Sequence, residues 1–258
     1  MDYITGSHGF LGTHLLQALE GTEVTAIPHA KIKTIKLKPF ESFFFLSAYG
    51  NMYSHKDNEK IIQANILDLI SIVLQVDGGK FNSFVYMSTS SVKLPKQTMY
   101  SRTKKASEEV LLSFAEKYHK PFCIIRPFSV TGVGEQSEHL IPTLIRSCFE
   151  GEQVNLVPSP VHDFIDVDDV AAGIINLSQH RARGIFELGS GKKHTNRQVL
   201  ELVEEATGKK ANVNIVGQMR LYDTDNWVSS NFRARSYGWL PKKTLEQSIR
   251  EQVEAYKK

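Results

Sequence analysis

Three glycines near the beginning of the chain, Gly6, Gly9 and Gly12, constrain its fold more than any other feature. Residues 1–5 read as a short strand, and Phe10 to Leu19 carries apolar residues at helical spacing. The glycines therefore fall between a strand and a helix. There, small residues let the backbone approach a pyrophosphate, and the helix N-terminus supplies amide donors. This arrangement predicts a dinucleotide-binding turn that opens an α/β fold.

A tyrosine and a lysine four residues apart, Tyr100 and Lys104, are the strongest candidates for catalysis. On a helix they lie one turn apart on the same face and can point into one cleft. A free tyrosine has a pKa of about 10. We expect the lysine ammonium and an oxidised nicotinamide to lower the pKa of Tyr100 and to favour its phenolate. Tyr100 would then exchange a hydroxyl proton while hydride moves to or from a carbon.

A hydroxyl-rich turn at residues 88–91 (Ser-Thr-Ser-Ser) follows a buried strand predicted over Phe81 to Met87. The carboxyl end of such a strand opens onto the ligand cleft of a parallel sheet. One of these hydroxyls can hydrogen-bond a substrate carbonyl oxygen as charge develops on it. We assign this role to Thr89, with Ser90 as the second choice. The alternative is that the turn only caps the segment that follows.

Strands and helices alternate along the chain, which predicts a Rossmann-type, doubly wound parallel sheet with helices on both faces. Long helices are predicted over Ile61–Val76 and Ser101–Tyr118, and a central strand over Phe122–Ile125. Between Pro28 and Glu41 the chain is too short for a further helix and strand, which indicates a trimmed cofactor domain.

Length and composition agree with one compact enzyme of 258 residues, 41% of them hydrophobic. A net charge of +3 is too small to indicate binding to nucleic acid or to a membrane. Cys123 and Cys148 lack metal or redox spacing, so we expect reduced, buried thiols, and no histidine set predicts a metal. Because the first strand begins at once and no apolar run approaches a membrane span, a cytoplasmic location is expected.

At these residues the chain resembles the extended branch of the short-chain dehydrogenase/reductase superfamily, which contains nucleotide-sugar epimerases, dehydratases and reductases. The resemblance runs almost end to end and implies a Rossmann-type sheet with a smaller C-terminal substrate-binding lobe. Thr89, Tyr100 and Lys104 would be the catalytic set. A homodimer would form through the two long helices, with Ile66, Ile70 and Leu74 at the interface, although the same residues could instead cover the sheet. The matching segments are Gly6–Gly12, Phe45–Ala48, Ile125–Gly132, Phe164–Ala171, Phe186–Gly191 and Ser236–Pro241.

Domains and ligand contacts follow from this resemblance. Residues 1–128, with 162–188 returning to them, would form the dinucleotide-binding domain, and residues 129–161 and 189–258 the substrate lobe. The expected cofactor-binding residues are Gly6, His8, Gly9, Phe10, Leu11, Gly12, His29, Lys31, Leu46, Ser47, Ala48, Met87, Tyr100, Lys104, Pro127 and Val130. The expected substrate-binding residues are Thr89, Ser90, Ser129, His139, Leu140, His162 and Arg220.

Departures from the family pattern limit which reactions and which substrates are expected. Sugar-nucleotide 4,6-dehydratases carry Asp-Glu directly after the catalytic threonine, whereas this chain has two serines, which disfavours a dehydratase. Ser129 replaces a frequent asparagine, and His162 replaces an arginine that meets the nucleotide diphosphate, whereas Arg220 matches a second such arginine. His139 takes the place of an asparagine that touches the substrate phosphate, although it would equally suit the surface before a helix.

The second strand ends in Pro28-His29-Ala30-Lys31 and lacks the carboxylate that grips the adenosine ribose of NAD. Lys31 or Lys33 could instead meet the 2′-phosphate of NADP, with His29 as a helper. The alternating lysines of residues 31–38 would equally suit a guarded edge strand. These observations give NADP a slight preference over NAD.

The leading hypothesis is an NAD(P)-dependent oxidoreductase that transfers hydride at a hydroxyl or keto carbon of a nucleotide sugar, as an epimerase or a 4-keto reductase. The loss of the arginine at His162 keeps open a reductase of a smaller carbonyl compound. A non-catalytic dinucleotide sensor or scaffold is the third possibility, although such relatives usually lose the tyrosine or the lysine, and both are present here.

Overall fold

The computed structural model describes residues 1–52, 54–76, 81–217 and 223–258. Across these residues six parallel strands form one sheet in the spatial order β10-β5-β4-β3-β1-β2. The chain therefore winds one way from β1 to β2 and the other way from β1 to β3, which confirms the predicted doubly wound sheet. These strands are β1 (Asp2–Thr5), β2 (Val24–Ile27), β3 (Ser42–Phe45), β4 (Ser83–Met87), β5 (Phe122–Pro127) and β10 (Gly184–Leu188).

Helices cover both faces of this sheet. Helices α1 (Phe10–Ala18) and α6 (Val167–Gln179) pack on one face, and α3 (Asp68–Val76) and α4 (Met99–Tyr118) pack on the other. Strands β3 and β4 are consequently apolar on both sides, as is usual for the centre of a parallel sheet. Phe44 and Val85 face the first layer, and Phe43 and Phe84 face the second.

The helix predicted over Ile61–Val76 is divided into three parts. An α-helical turn, α2 (Asn58–Ile62), continues through a π-helical turn at Gln63–Leu67 into α3. The side chain of Asn65, in the π turn, accepts a hydrogen bond from the amide of Tyr49 and donates to Thr103 of α4. The widened turn therefore ties the loop after β3 to the helix that carries Tyr100 and Lys104.

Between β2 and β3 the chain contains a 3-10 turn at His29–Lys31 and no strand, which confirms the trimmed cofactor domain. The alternative prediction of a lysine-guarded edge strand over residues 31–38 was wrong. The backbone there turns instead, with Ile32 fully buried, and the amide of Leu37 donates to the side chain of Gln75 on α3. The alternation of lysines with apolar residues reflects this irregular packing.

A second hydrophobic core lies among helices of the C-terminal half: α5 (Leu140–Glu150), α7 (Asn196–Thr207) and α9 (Leu245–Tyr256). Thr195 and Thr244 begin α7 and α9 with capping boxes that satisfy the first amides. The short elements here are β6 (Ser129–Thr131) paired with β9 (Phe164–Asp166), β8 (Val161–His162) with β11 (His194–Thr195), β7 (Val154–Leu156) with β12 (Val213–Ile215), and helix α8 (Phe232–Arg235).

Two predictions about the chain as a whole can be compared with the structure. Cys123 and Cys148 are free and buried, as expected. Within the described ranges, no helix has the length and apolar character needed to cross a membrane.

Candidate active site

Four polar or glycine-containing segments meet at the carboxyl edge of the sheet. The parallel register aligns Thr5 of β1 with Phe45 of β3, Phe45 with Tyr86 of β4, and Met87 with Ile125 of β5. The segments that follow these strands therefore open onto the same edge, beside the point where the strand order reverses. This is the place where open α/β sheets bind their ligands.

The glycine turn leaves no room for side chains at its first and last glycines. Gly6 has a φ of +72°, and a Cβ there would lie 2.9 Å from the backbone nitrogen of Ser47 and 3.0 Å from the carbonyl carbon of Leu46. A Cβ on Gly12 would lie 2.1 Å from the carbonyl oxygen of Gly6. Gly9 precedes the first turn of α1, and its amide donates to Gly6. The structure thus brings the glycine turn directly against the predicted segment after β3.

The other residues that were predicted to bind the cofactor differ in how far they are buried and in what they contact. His8 is exposed, and its Nδ1 lies 3.1 Å from the hydroxyl of Ser7. The ring of Phe10 packs edge-on against His14, whereas Leu11 packs against the core of the sheet. Ala48 is exposed after β3, Met87 is buried at the end of β4, and Pro127 and Val130 are half-buried around the end of β5.

Lys104 is the most unusual side chain of the site, because it is only 1% exposed. Its Nζ lies 4.3 Å from the centre of the Tyr86 ring, and among the described residues it has no hydrogen-bond partner. Burial lowers the pKa of Lys104 to about 7, against the opposing attraction of Glu108. The site therefore contains a buried lysine nitrogen whose hydrogens have no hydrogen-bond acceptor among the described residues.

Tyr100 lies one turn before Lys104 on α4 and is half-buried. Burial raises the pKa of Tyr100 to about 12. The expected direction was downward, so that prediction was wrong for the protein groups by themselves. Desolvation of the phenolate outweighs the attraction of an amine that is itself reluctant to be charged.

Glu108 extends the same face by one more turn and was missed by the sequence reasoning. Its carboxylate accepts bidentate hydrogen bonds from Arg126, with distances of 2.9 Å from Nε and 2.5 Å from Nη2, and a further one from the hydroxyl of Ser88. The hydrogen bonds to Glu108 raise the pKa of Arg126. Its i+4 spacing from Lys104 was the available signal, because Tyr100, Lys104 and Glu108 form one helical stripe.

Thr89 follows β4 and begins a 3-10 turn at Ser90–Lys93. Its Oγ1 accepts a hydrogen bond of 3.2 Å from the amide of Ser91 and lies 3.0 Å from the hydroxyl of Ser91. Thr89 therefore performs the capping role considered as the alternative, and it does so at the edge of the sheet that contains the site. Ser90 is buried, and Lys93 anchors the turn through an ion pair of 2.6 Å with Glu187 of β10.

His29 and Lys31 lie just after β2, and both are exposed. His29 Nε2 is 2.9 Å from a carboxylate oxygen of Asp68, whose side chain is 2% exposed, and Gln63 donates to the other oxygen at 2.6 Å. Lys33 donates to Gln63 at 3.0 Å. A carboxylate is thus present beside the end of β2, but it comes from α3. No local sequence signal indicated it, because Asp68 lies about 40 residues after the strand.

Of the other predicted substrate residues, Ser129 begins β6 and His162 ends β8. The Ser129 hydroxyl is 3.4 Å from His162 Nδ1. His139 precedes Leu140, the first residue of α5, and its Nδ1 is 3.0 Å from Glu135. Arg220 lies outside the described residues.

Asp163, next to His162, was also missed and organises the loops around it. One carboxylate oxygen accepts hydrogen bonds from the amide and hydroxyl of Ser190, and the other from Gly191 and from the amide and hydroxyl of Ser229. The carboxylate is fully buried, so these donors hold it in place. Among the described residues no cluster of His, Cys, Asp or Glu could hold a metal ion.

A dinucleotide fits the residues present for two reasons. The turn from Gly6 to Gly12 leads into the N-terminus of α1, and its backbone is packed so tightly that a side chain on Gly12 would clash with the carbonyl of Gly6. The buried Nζ of Lys104 has hydrogens that need acceptors, and ribose hydroxyls can provide them.

Comparison with known proteins agrees with this geometry. The sequence model of the NAD dependent epimerase/dehydratase family matches residues 3–189. UDP-glucuronate 4-epimerase from Thermodesulfobacterium geofontis is 24% identical over 157 residues, which are 60% of this chain and 49% of that protein. The structure of MoeE5 in complex with UDP-glucose and NAD is 23% identical, with a TM-score of 0.86 and coverage of 99% of this chain and 98% of that one. RMD from Pseudomonas aeruginosa, complexed with NADPH, is 19% identical, with a TM-score of 0.84 and coverage of 99% and 98%.

These comparisons confirm the predicted fold and family. They do not support the slight preference for NADP, because the family is described by its use of NAD and the solved relatives hold NAD or NADPH.

Proposed function

Because the chain belongs to the NAD-dependent epimerase/dehydratase family, we propose that it transfers hydride at a hydroxyl or keto carbon of a nucleotide sugar. The reaction would be that of a C4 epimerase or of a 4-keto reductase. The observation that carries this proposal is the stripe on α4, where the half-buried hydroxyl of Tyr100 lies one turn from the buried amine of Lys104. Lys104 Nζ lies 4.3 Å from the centre of the Tyr86 ring on β4, and β4 pairs with β3, whose following segment lies against Gly6.

Each of three side chains has a separate task in this proposal. A bound NAD or NADP would supply the hydride acceptor and donor. Thr89 donates a hydrogen bond to the reacting oxygen, and Tyr100 takes the hydroxyl proton as hydride leaves the carbon, or returns it in the reverse direction. Lys104 donates hydrogen bonds to ribose hydroxyls and, when charged, stabilises the phenolate.

The rise in the pKa of Tyr100 to about 12 bears on this mechanism. Ionisation of a tyrosine whose hydroxyl is desolvated requires a positive charge close to it, and the pKa of Lys104 is only about 7. The positive ring of an oxidised nicotinamide is the second source of charge that the chemistry offers. Phenolate formation is thus expected to depend on the cofactor and to be weak in the protein alone.

A nucleotide sugar is the proposed substrate class, because the solved relative MoeE5 is described in complex with UDP-glucose and the curated relative is a UDP-sugar epimerase. Ser129, His139 and His162 would line its path between the sheet and the second core. Residues 129–161 and 189–258 would form the substrate lobe. Elimination of water is disfavoured, because Ser90 and Ser91 provide no carboxylate after Thr89.

The test begins with the absorbance spectrum of the supernatant after denaturation of the purified protein. Released NAD, together with interconversion of UDP-sugars in the absence of added cofactor, would identify an epimerase. An empty protein that consumes NADPH with a 4-keto sugar nucleotide would identify a reductase. Tyr100→Phe should lower either activity by about 10²–10⁴-fold, whereas Tyr118→Phe, at the end of the same helix, is the matched control and should leave it unchanged. Turnover of small carbonyl compounds alone, or dinucleotide binding with no turnover of any substrate, would contradict the proposal.

We also propose a homodimer formed through α2–α3 and α4. Ile66 and Ile70 are half-buried in the monomer, and Leu67 and Leu74 are 46% and 59% exposed on the same helical segment. Such an apolar surface favours burial against a second copy. Light scattering should give twice the chain mass of 29.1 kDa, and Leu74→Glu should reduce it. A monomer mass for the unmodified protein at micromolar concentration would contradict this proposal.

A further inference from the structure

Four hydroxyl groups form a continuous chain from the turn after β4 to the start of α4. Thr89 Oγ1 lies 3.0 Å from Ser91 Oγ, Ser91 Oγ lies 2.9 Å from Ser101 Oγ, and Ser101 Oγ lies 3.1 Å from Thr98 Oγ1. Every step is within hydrogen-bond distance. Thr89 and Ser91 are half-buried, Ser101 is only 2% exposed, and Thr98 is exposed. The chain therefore runs from the proposed reaction site through a buried link to the protein surface.

The single hydrogen of each hydroxyl limits the directions in which these hydrogen bonds can run. The amide of Ser91 donates to Thr89 at 3.2 Å, and the amide of Ser101 donates to Thr98 at 3.2 Å. Each hydroxyl has one hydrogen and two acceptor positions. If Thr89 donates its hydrogen to a substrate oxygen, then Ser91 must donate to Thr89. Ser101 must in turn donate to Ser91, and Thr98 to Ser101.

On the basis of the proposed function, we infer that Ser91 and Ser101 are positioning residues that keep the Thr89 hydroxyl directed at the reacting oxygen. With Ser91 as the donor to Thr89, the hydrogen of Thr89 is left for the substrate. The aligned hydroxyls also polarise one another, which strengthens the terminal donor as negative charge grows on the oxygen that it contacts. Without the Ser91 hydroxyl, Thr89 still caps the 3-10 turn, but it loses the hydrogen-bond partner that fixes the orientation of its hydroxyl group.

The inference predicts that Ser91→Ala and Ser101→Ala each lower kcat by about 3–10-fold, the effect of losing one net hydrogen bond. The KM for the sugar nucleotide and the dinucleotide Kd should remain within about twofold, because neither serine is expected to contact a ligand. Ser91→Thr keeps the hydroxyl and should restore most of kcat. Ser178→Ala is the matched control, since Ser178 is buried and donates to the hydroxyl of Ser42 at 2.9 Å in another part of the fold.

A double-mutant cycle distinguishes positioning of Thr89 from a general structural effect. In a Thr89→Val background, Ser91→Ala should cause no further loss of kcat, because the hydroxyl that it orients has gone. Additive losses, an unchanged kcat in Ser91→Ala, or a rise in KM with kcat preserved would overturn the inference. Thermal denaturation of each variant checks folding, and Ser101→Ala provides the second test should Ser91→Ala fail to fold.

The experimental results that would refute the proposed function differ from those that would refute only the hydroxyl-chain inference. If the unmodified protein converts no nucleotide sugar, or if Tyr100→Phe retains activity, the proposed function is wrong and the hydroxyl-chain inference falls with it. If Tyr100→Phe is inactive and Ser91→Ala equals the unmodified protein, only the hydroxyl-chain inference is wrong.

Discussion

Replacement of Lys104 by methionine should stabilise the dinucleotide-free protein while it removes activity. Lys104 is 1% exposed, and burial lowers its pKa from 10.5 to about 7. At about 1.4 kcal/mol per pH unit of pKa difference, charging this side chain costs the folded state about 5 kcal/mol below pH 7. Methionine has a similar length and no charge, but it gives up the ammonium–ring contact with Tyr86, which is worth about 0.5–2 kcal/mol. We therefore expect Lys104→Met to raise the free energy of unfolding by about 3–4.5 kcal/mol at pH 6.

The stability difference between Lys104→Met and the unmodified protein should change with pH in a defined direction. Below pH 7 both the folded and the unfolded states carry the lysine charge, so the penalty is fully present. Between pH 7 and 10.5 the unfolded state binds more protons than the folded state, so this contribution makes the unmodified protein more stable as pH rises. The advantage of Lys104→Met should therefore shrink by about 2–3 kcal/mol between pH 6 and pH 9.

Urea denaturation at pH 6 and pH 9, followed by the fluorescence of the two tryptophans, measures these differences. Any bound dinucleotide is first extracted. Lys105→Met is the matched control, because Lys105 is exposed on the same helix, and its effect should stay within about 0.5 kcal/mol at both pH values. Added dinucleotide should stabilise the unmodified protein more than Lys104→Met, because the lysine is expected to bind the ribose hydroxyls. A less stable Lys104→Met at pH 6, or a stability difference that does not change with pH, would refute the argument.

Three further substitutions test the proposed site by steady-state rates on nucleotide sugars and by fluorescence titration of the dinucleotide. Tyr100→Phe removes one oxygen and should lower kcat by about 10²–10⁴-fold with little change in dinucleotide affinity; full activity would exclude Tyr100 as the proton-transfer group. Thr89→Val should lower kcat and leave the dinucleotide Kd unchanged, and a weakened Kd would point to a role in the cofactor site. Gly12→Ala places a Cβ 2.1 Å from the carbonyl oxygen of Gly6 and should weaken dinucleotide binding about tenfold or more. Unaltered dinucleotide binding in Gly12→Ala would contradict this, because it would show that the glycine turn can widen without loss of affinity.

The sequence predicted those parts of the fold that depend on local pattern. Gly6 and Gly12 were identified because a strand precedes them and a helix follows, and the structure leaves no space for side chains at either position. The trimmed segment between β2 and β3 was predicted from length alone, because 14 residues cannot easily form another helix and strand. The π turn at Gln63–Leu67 had no such signal, since the partners of its Asn65, Tyr49 and Thr103, lie in distant segments of the chain.

The parts of the site that escaped prediction depend on contacts between distant segments. The position of Glu108 on the Tyr100–Lys104 stripe was visible from its spacing, but its pairing with Arg126 arises only when β5 packs beside α4. Asp68 reaches the end of β2 from a helix about 40 residues later. For the protein groups by themselves, the predicted direction of the Tyr100 pKa was wrong because the sequence shows which charges are near in the chain and does not show how deeply they are buried.

The contrast between Glu108 and Lys104 explains how this site can be both stable and reactive. Glu108 is buried with a bidentate guanidinium and a hydroxyl, so its charge is compensated within the protein. Lys104 is buried one turn away with an aromatic face and no hydrogen-bond acceptor among the described residues. The uncompensated desolvation cost in this stripe is therefore confined to the Lys104 amine, the group that is proposed to bind the dinucleotide. Ribose hydroxyls would satisfy that group, so cofactor binding and charging of Lys104 should favour each other, and the same step would favour the Tyr100 phenolate.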